Sequence, residues 1–222
     1  MNLKNSWWKI LGALLVIYVA IAGLTGEVPR QPILNETIRN VYFHVPMWFS
    51  MMVLMTISMV RSIQYLRSGN IVRDQQALSF AHTAFALGII GFLTGAIWGK
   101  FTWGSAFPVD PKLIAVEVGL LIYAAYFIMR GSFEDEQKKA RLAAVYNIFA
   151  FAAFMPLVWI LPRITDSLHP GNGGNPAFGK YDMDSQMRMV FYPAVVGWIL
   201  VGIWIASLRA RILNLEYKKT EI

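Results

Sequence analysis

Six apolar runs alternate with short polar connections along the chain: Trp7–Leu24, Val41–Val60, Leu78–Trp98, Leu113–Met129, Leu142–Leu161 and Met189–Leu208. Within each run the apolar residues are continuous, not alternating, which excludes the period-two strands of a membrane β-barrel. Each run is close to the roughly 20 residues that carry a helix across about 30 Å of hydrocarbon. A helix also satisfies all of its backbone groups internally, as lipid requires. The pattern predicts an all-α integral membrane protein with six transmembrane helices in a single polytopic domain over residues 1–222. Short connections make successive helices antiparallel. The first run has the basic start of a signal peptide, Lys4 and Lys9, and a passable cleavage site at Ala20-Ile21-Ala22. It exceeds the roughly 7–15 residues of a signal core, so it reads as a retained helix.

The residues between the runs predict where helices start and stop. Gly26 and Gly131 read as C-terminal stops. Ser132-Phe-Glu-Asp135 has the spacing of a capping box, placing the start of the fifth helix near Phe133. Pro46, Pro156 and Pro193 lie inside apolar runs and should kink them unless close to an end. Ile164–Pro170 reads as a short helix ending at His169, and Pro170–Pro176 (PGNGGNP) as a segment without regular structure.

Composition and charge add orientation. The chain is 56% hydrophobic and 15% charged, beyond the range of a soluble domain. Thirteen of the 20 Lys and Arg fall on the side that holds both termini, against seven on the far side. The bias predicts both termini in the cytoplasm. It also accounts for the net charge of +7 without nucleic acid as a partner. Cysteine is absent, which excludes disulfides, thiolate metal sites, iron–sulfur clusters and covalent haem attachment. Without a phosphate-binding Gly-x-x-x-x-Gly-Lys-Ser/Thr loop, any ATP hydrolysis belongs to another subunit.

Candidate chemistry is concentrated on the far side. Of three histidines, His82 lies five residues into the third run, near the cytoplasmic face, where it reads as a helix-packing residue. His44 lies near the far end of the second run, in YFHVPMW, and His169 in the last far-side loop. Helix rise puts His44 and His82 roughly 15–20 Å apart in depth, too far for one iron. His44 and His169 share a face and could approach one iron from two sides. Between them in sequence runs WGKFTWGSAFPVDPK, with Trp98, Gly99, Lys100, Trp103, Gly104, Phe107 and Asp110. Its aromatics suit either an interfacial belt or stacking on a flat porphyrin plate. On the second reading the glycines permit close approach and Lys100 neutralises a propionate. Asp110-Pro111 also reads as an N-cap with proline at the first helical position. Glu117, about two turns into the fourth helix, is a buried carboxylate for which Arg188 or Tyr192 is a guessed partner.

The order His-Val-Pro (44–46), Thr-Gly-x-x-Trp-Gly-Lys-x-x-Trp-Gly (94–104), Asp110 and Leu-His (168–169) resembles the cytochrome c maturation protein C family of haem-handling proteins. Nearly the whole chain shares that organisation. The family's tryptophan-rich loop ends in Trp-Trp-Val-Trp-Asp; the aligned residues here are Ala106, Phe107, Pro108, Val109 and Asp110, so three tryptophans are absent. The resemblance implies His44 and His169 as axial ligands of a non-covalently and transiently held haem b. It implies a multi-pass protein of the bacterial inner membrane, with periplasmic haem-handling loops at 98–112 and 162–188. It further implies delivery to a periplasmic haem chaperone, alongside an ABC-type ATPase and a second membrane subunit, and no enzymatic activity of its own. Competing readings are a membrane redox subunit for haem b or quinone and a permease subunit that binds no haem.

Overall fold

A computed structural model describes residues 6–169 and 183–220; the glycine-rich Pro170–Pro176 stretch, Lys4 and Lys180 lie outside the described residues. The helices are α1 (Trp7–Thr25), α2 (Val41–Ser68), α3 (Ile71–Thr102), α4 (Pro111–Gly131), α5 (Glu136–Met155), the single turn α6 (Leu161–Ile164) and α7 (Ser185–Thr220). A 3₁₀ turn, Asn35–Asn40, leads into α2, and a π turn, Pro156–Ile160, joins α5 to α6. Six of the helical segments are long and apolar enough to cross a membrane. Several exceed the apolar runs: α2 continues to Ser68, and α3 starts at Ile71 rather than Leu78. His82 is therefore the twelfth residue of its helix, not the fifth.

Helix α2 sits centrally, packing against α3, α5 and α7, while α1 lies outside on α7. Its Met47, Met51, Leu54 and Met55 form the main core with Phe80 and Leu87 of α3, Tyr123 of α4 and Phe154 of α5. In lipid, close packing and interhelical hydrogen bonds substitute for a hydrophobic drive between helices. Both are present. A Cβ on Gly88 would lie 2.5 Å from Met51 Sδ, so any larger residue there would have to displace the Met51 side chain. Asn147 of α5 donates to Ser58 Oγ at 2.8 Å and Ser62 Oγ at 2.9 Å, and Ser58 donates to the Ala77 carbonyl at 2.7 Å. Arg130 forms a fork on buried Asp74, with Nη1 2.7 Å from Oδ1 and Nη2 on Oδ2, tying α4 to α3 at the end opposite His44.

The helix ends bear out one expectation and shift two others by a few residues. Gly26 does end α1, but in an extended conformation; Arg39 Nη1 donates to the Gly23 and Gly26 carbonyls at 3.0 and 2.6 Å, covering acceptors that the helix end exposes. Gly131 is the last residue of α4, and Ser132 is its C-cap, its hydroxyl turned back to the Ile128 carbonyl. The N-cap of α5 is Asp135, which accepts from Lys138 N at 2.6 Å, so the helix starts at Glu136. A left-handed glycine stop is found at Gly69, after α2 (φ 67°).

The prolines act differently from one another. Pro46 and Pro193 are accommodated inside α2 and α7. Pro156 marks a change of hydrogen bonding: the Leu161 N–H bonds back five residues to the Pro156 carbonyl, giving the π turn. The expected short helix over Ile164–Pro170 is absent up to His169. Thr165 is extended (φ −121°, ψ 151°), and the next residues are held by side-chain bonds rather than by a helical ladder.

Candidate functional site

His44 is the fourth residue of α2, and its ring crosses to α3. Nδ1 lies 2.8 Å from the Gly91 carbonyl and 3.3 Å from Thr94 Oγ1. A carbonyl only accepts, so Nδ1 carries the proton and Nε2 keeps its lone pair. Gly95, one turn beyond Gly91, makes room for the ring: a Cβ there would lie 2.6 Å from His44 Cε1.

His169 is held by a different device. The Asp110 carboxylate, 1% exposed, caps α4 by accepting from Lys112 N at 3.0 Å and Leu113 N at 3.3 Å. Its other oxygen accepts from the Leu168 N–H at 2.7 Å and the Ser167 hydroxyl at 2.9 Å. Oδ1 also lies 3.2 Å from Nδ1 of His169. Burial pushes the Asp110 carboxyl up, but the bonds from Leu168 and Ser167 and the proximity of His169 outweigh it and hold it below its usual range. Burial, then the Lys112 charge, pushes His169 down to about 4, against the opposing pull of Asp110. A neutral ring facing a carboxylate donates through Nδ1, and Nε2 is again the bare nitrogen. Carboxylates orient metal-binding histidines in this way.

Both histidines line one cavity of ≈ 590 Å³, within the roughly 300–1,000 Å³ of small-molecule sites. Its α2 wall is His44, Val45, Trp48, Phe49 and Met52. Facing it on α3 and the following loop are Phe92, Gly95, Trp98, Gly99 and Trp103. Lys112, Leu113 and Val116 of α4, with Val158 and Trp159 of the π turn, close another side, and Ser167–His169 complete it. The aromatic rings meet edge to face: His44 with Trp48 (6.2 Å) and Trp98 (6.0 Å), Trp103 with His169 (4.7 Å), and Phe49 with Trp159 (6.2 Å).

Of the expected site residues, His44, His169, Trp98, Gly99 and Trp103 come together. Trp98 is also anchored by an Nε1–H bond to Thr37 Oγ1 at 3.2 Å. Four others are placed differently. Lys100 does not line the cavity; its Nζ donates to the Gly104 carbonyl. Gly104 serves the turn, with φ +77° and open space where a Cβ would point. Phe107 is 58% exposed and packs on Phe92 from outside the lining (5.7 Å). Asp110 sits behind His169, as cap and tether. Glu117 is half-buried on α4, whereas Arg188, suggested as its partner, donates through Nε to the Asp184 carbonyl and borders a cleft with Leu15 and Tyr18 of α1, as does Tyr192. His82 stacks on Phe127 at 4.1 Å and lines no part of the cavity. It is nine residues from Gly91 on α3, about 14 Å along the axis.

Residues not anticipated are Trp48, Gly95, Lys112 and Trp159. Trp48 and Gly95 carry a legible signal, since each lies four residues from a partner on the same helix face, His44 and Gly91. Lys112 follows an N-cap and Pro, an unremarkable context. Trp159 was hidden by the π turn, which breaks the 3.6-residue period.

The whole chain, residues 1–222, matches the family model described as "Heme exporter protein C". Among curated proteins, it is 23% identical over 206 residues to the Heme exporter protein C of Paracoccus denitrificans, covering 92% of this chain and 84% of that one. It is 24% identical over 216 residues to that of Bradyrhizobium diazoefficiens (96% and 81%) and 22% identical over 219 residues to that of Escherichia coli K12 (96% and 84%). With six helices able to span a membrane and a family match from end to end, the chain belongs to the Heme exporter protein C family of multi-pass membrane proteins.

Proposed function

We propose that this chain is a non-enzymatic inner-membrane subunit of cytochrome c maturation that holds haem b transiently and non-covalently between His44 and His169. The observation that carries the reading is the pair of imidazoles lining one aromatic cavity, each with Nδ1 engaged and, among the described residues, Nε2 without a hydrogen-bond partner. Two such nitrogens are the donor set for a six-coordinate haem iron. Haem is the cargo, and the chain's own residues clamp it, stack on it and shield it from water. The distribution of Lys and Arg supports placing the cavity end at the periplasmic face and both termini in the cytoplasm. There the haem would be presented to a periplasmic haem chaperone, with an ABC-type ATPase and a second membrane subunit supplying the energy-dependent step. On this reading residues 98–112 and 162–188 make the haem-handling face, with 170–182 outside the described residues.

The test is haem titration of the purified protein followed by absorption. Wild type should give a low-spin bis-histidine spectrum. His44→Ala and His169→Ala should each weaken binding at least about tenfold, and His82→Ala should stay near wild type. Equal damage from His82→Ala would overturn the site, and no Soret change in wild type would leave a permease subunit that binds no haem. Labelling of a Ser132→Cys variant by a membrane-impermeant reagent in intact cells would reverse the orientation.

A further inference from the structure

Among the described residues that line the cavity, Lys112 is the one formally charged side chain; the others are apolar, aromatic, hydroxylic or imidazole. It is also the second residue of α4, so it stands where the partial positive charge of a helix start adds to its own. Polarity in the cavity is graded along the helix axes. Lys112, Thr102 and Ser167 belong to the loop end. Met52 lies eleven residues further along α2 than Val41, about 16 Å deeper, and is accompanied by Phe49 and Val158.

Resting on the haem-holding reading, we propose that Lys112 is the anion anchor of this cavity and fixes the orientation of its ligand. The ligand class is a metallated tetrapyrrole with free carboxylates on one edge. That edge faces the loop end at Lys112, and the carbon-rich edge points inward to Phe49, Met52 and Val158. The position and charge of Lys112 suit this role, whereas Lys100 is directed to a loop carbonyl outside the cavity. A reversed plate would bring two carboxylates against Met52 and Val158, where burying an unpaired charge is costly. Charge-assisted bonds to carboxylate are among the stronger single contacts a site can offer, so the anchor also selects ligands.

The experiment compares iron protoporphyrin IX with its dimethyl ester, which has the same plate and iron but no carboxylate charge. Both are titrated by absorption into the purified full-length protein and into its Lys112→Met and Lys112→Arg variants. Circular dichroism verifies helix content. Wild type should prefer the free acid by about tenfold or more. Lys112→Arg should keep most of that preference, and Lys112→Met should bring the ratio close to one. Equal affinity of wild type for acid and ester, or an unchanged ratio in Lys112→Met, overturns the anchor while leaving the two-histidine reading intact. Binding of neither ligand to wild type overturns both.

Discussion

Oδ1 of Asp110 and Nδ1 of His169 lie 3.2 Å apart although 59 residues separate them in sequence. The same carboxylate caps α4 and accepts from Ser167 and Leu168. One buried anion therefore sets the start of a helix, the path of a loop and the tautomer of a histidine.

Asp110→Asn should separate these roles. An asparagine oxygen can still cap α4, a function for which Asn and Asp are near equivalents. Its amide, however, has donors where the carboxylate had only acceptors, and His169 loses the charge that favours a proton on Nδ1. Helix content should remain near wild type while haem affinity falls about tenfold, with loss of the low-spin spectrum. Asp110→Ala should lose both affinity and stability, the cap alone costing about 1 kcal/mol. Unchanged haem spectra in both variants would reduce Asp110 to a helix cap.

Gly95→Ala should impair His44 without touching its chemistry. The added methyl would sit 2.6 Å from Cε1, so the ring must move away from the Gly91 carbonyl that orients it. Alanine in place of a helix-interior glycine favours the helix by about 1 kcal/mol. The expected outcome is a protein at least as well folded as wild type by circular dichroism, with several-fold weaker haem binding. Undiminished binding would mean that the His44 position seen here is not the one that ligates.

The protein without haem should lose stability on acidification in a window set by His169. The unfolded residue takes its proton near pH 6.5, and the folded one only near 4. Between those values the unfolded chain holds more protons, so stability falls as pH drops from about 6.5 to about 4. Asp110 acts in the same direction at lower pH: its carboxyl lies below the usual range when folded, so its contribution disappears as pH falls through that lowered value. Melting temperatures in detergent at pH 7.5, 5.5 and 4.5 check this. His169→Gln should flatten the upper part of the decline.

At the other end of the bundle, Asp74→Asn should destabilise by about 3–5 kcal/mol, because it strands the buried Arg130 charge. Replacing both, with Asp74→Leu and Arg130→Met, should recover most of that loss. Chemical unfolding in micelles measures both, and haem affinity of the folded fraction should not change. Altered haem affinity would show the two ends to be coupled.

Much of the architecture was legible because lipid imposes one rule on backbone and side chains alike. Long apolar runs have to be helices, and short connections have to return the chain. Where side chains compete with that rule, the sequence was less transparent. Ser132 and Asp135 are both plausible caps, and only the bond from Lys138 N to Asp135 separates them. The two histidines could be paired by depth, and Trp98 and Trp103 could be read as aromatics of the segment that lies between them in sequence. Lys100 and Lys112 could not be told apart, because which of two cations at neighbouring helix ends lines the cavity depends on contacts between segments far apart in the chain. Asp110 shows the same limit: its capping role is local and readable, whereas its hold on His169 is tertiary.

The π turn at Pro156–Ile160 matters for anyone aligning or editing this segment. A π turn accommodates one residue more than the α-helix it interrupts, and one residue corresponds to about 100° of rotation. A helical wheel drawn straight through Pro156 therefore assigns Val158 and Trp159 to the wrong side. Deleting a single residue there would be a larger change than most substitutions in the cavity. It would re-phase the helix, turn Trp159 away from Phe49, and rotate the approach of the segment that ends in Ser167, Leu168 and His169.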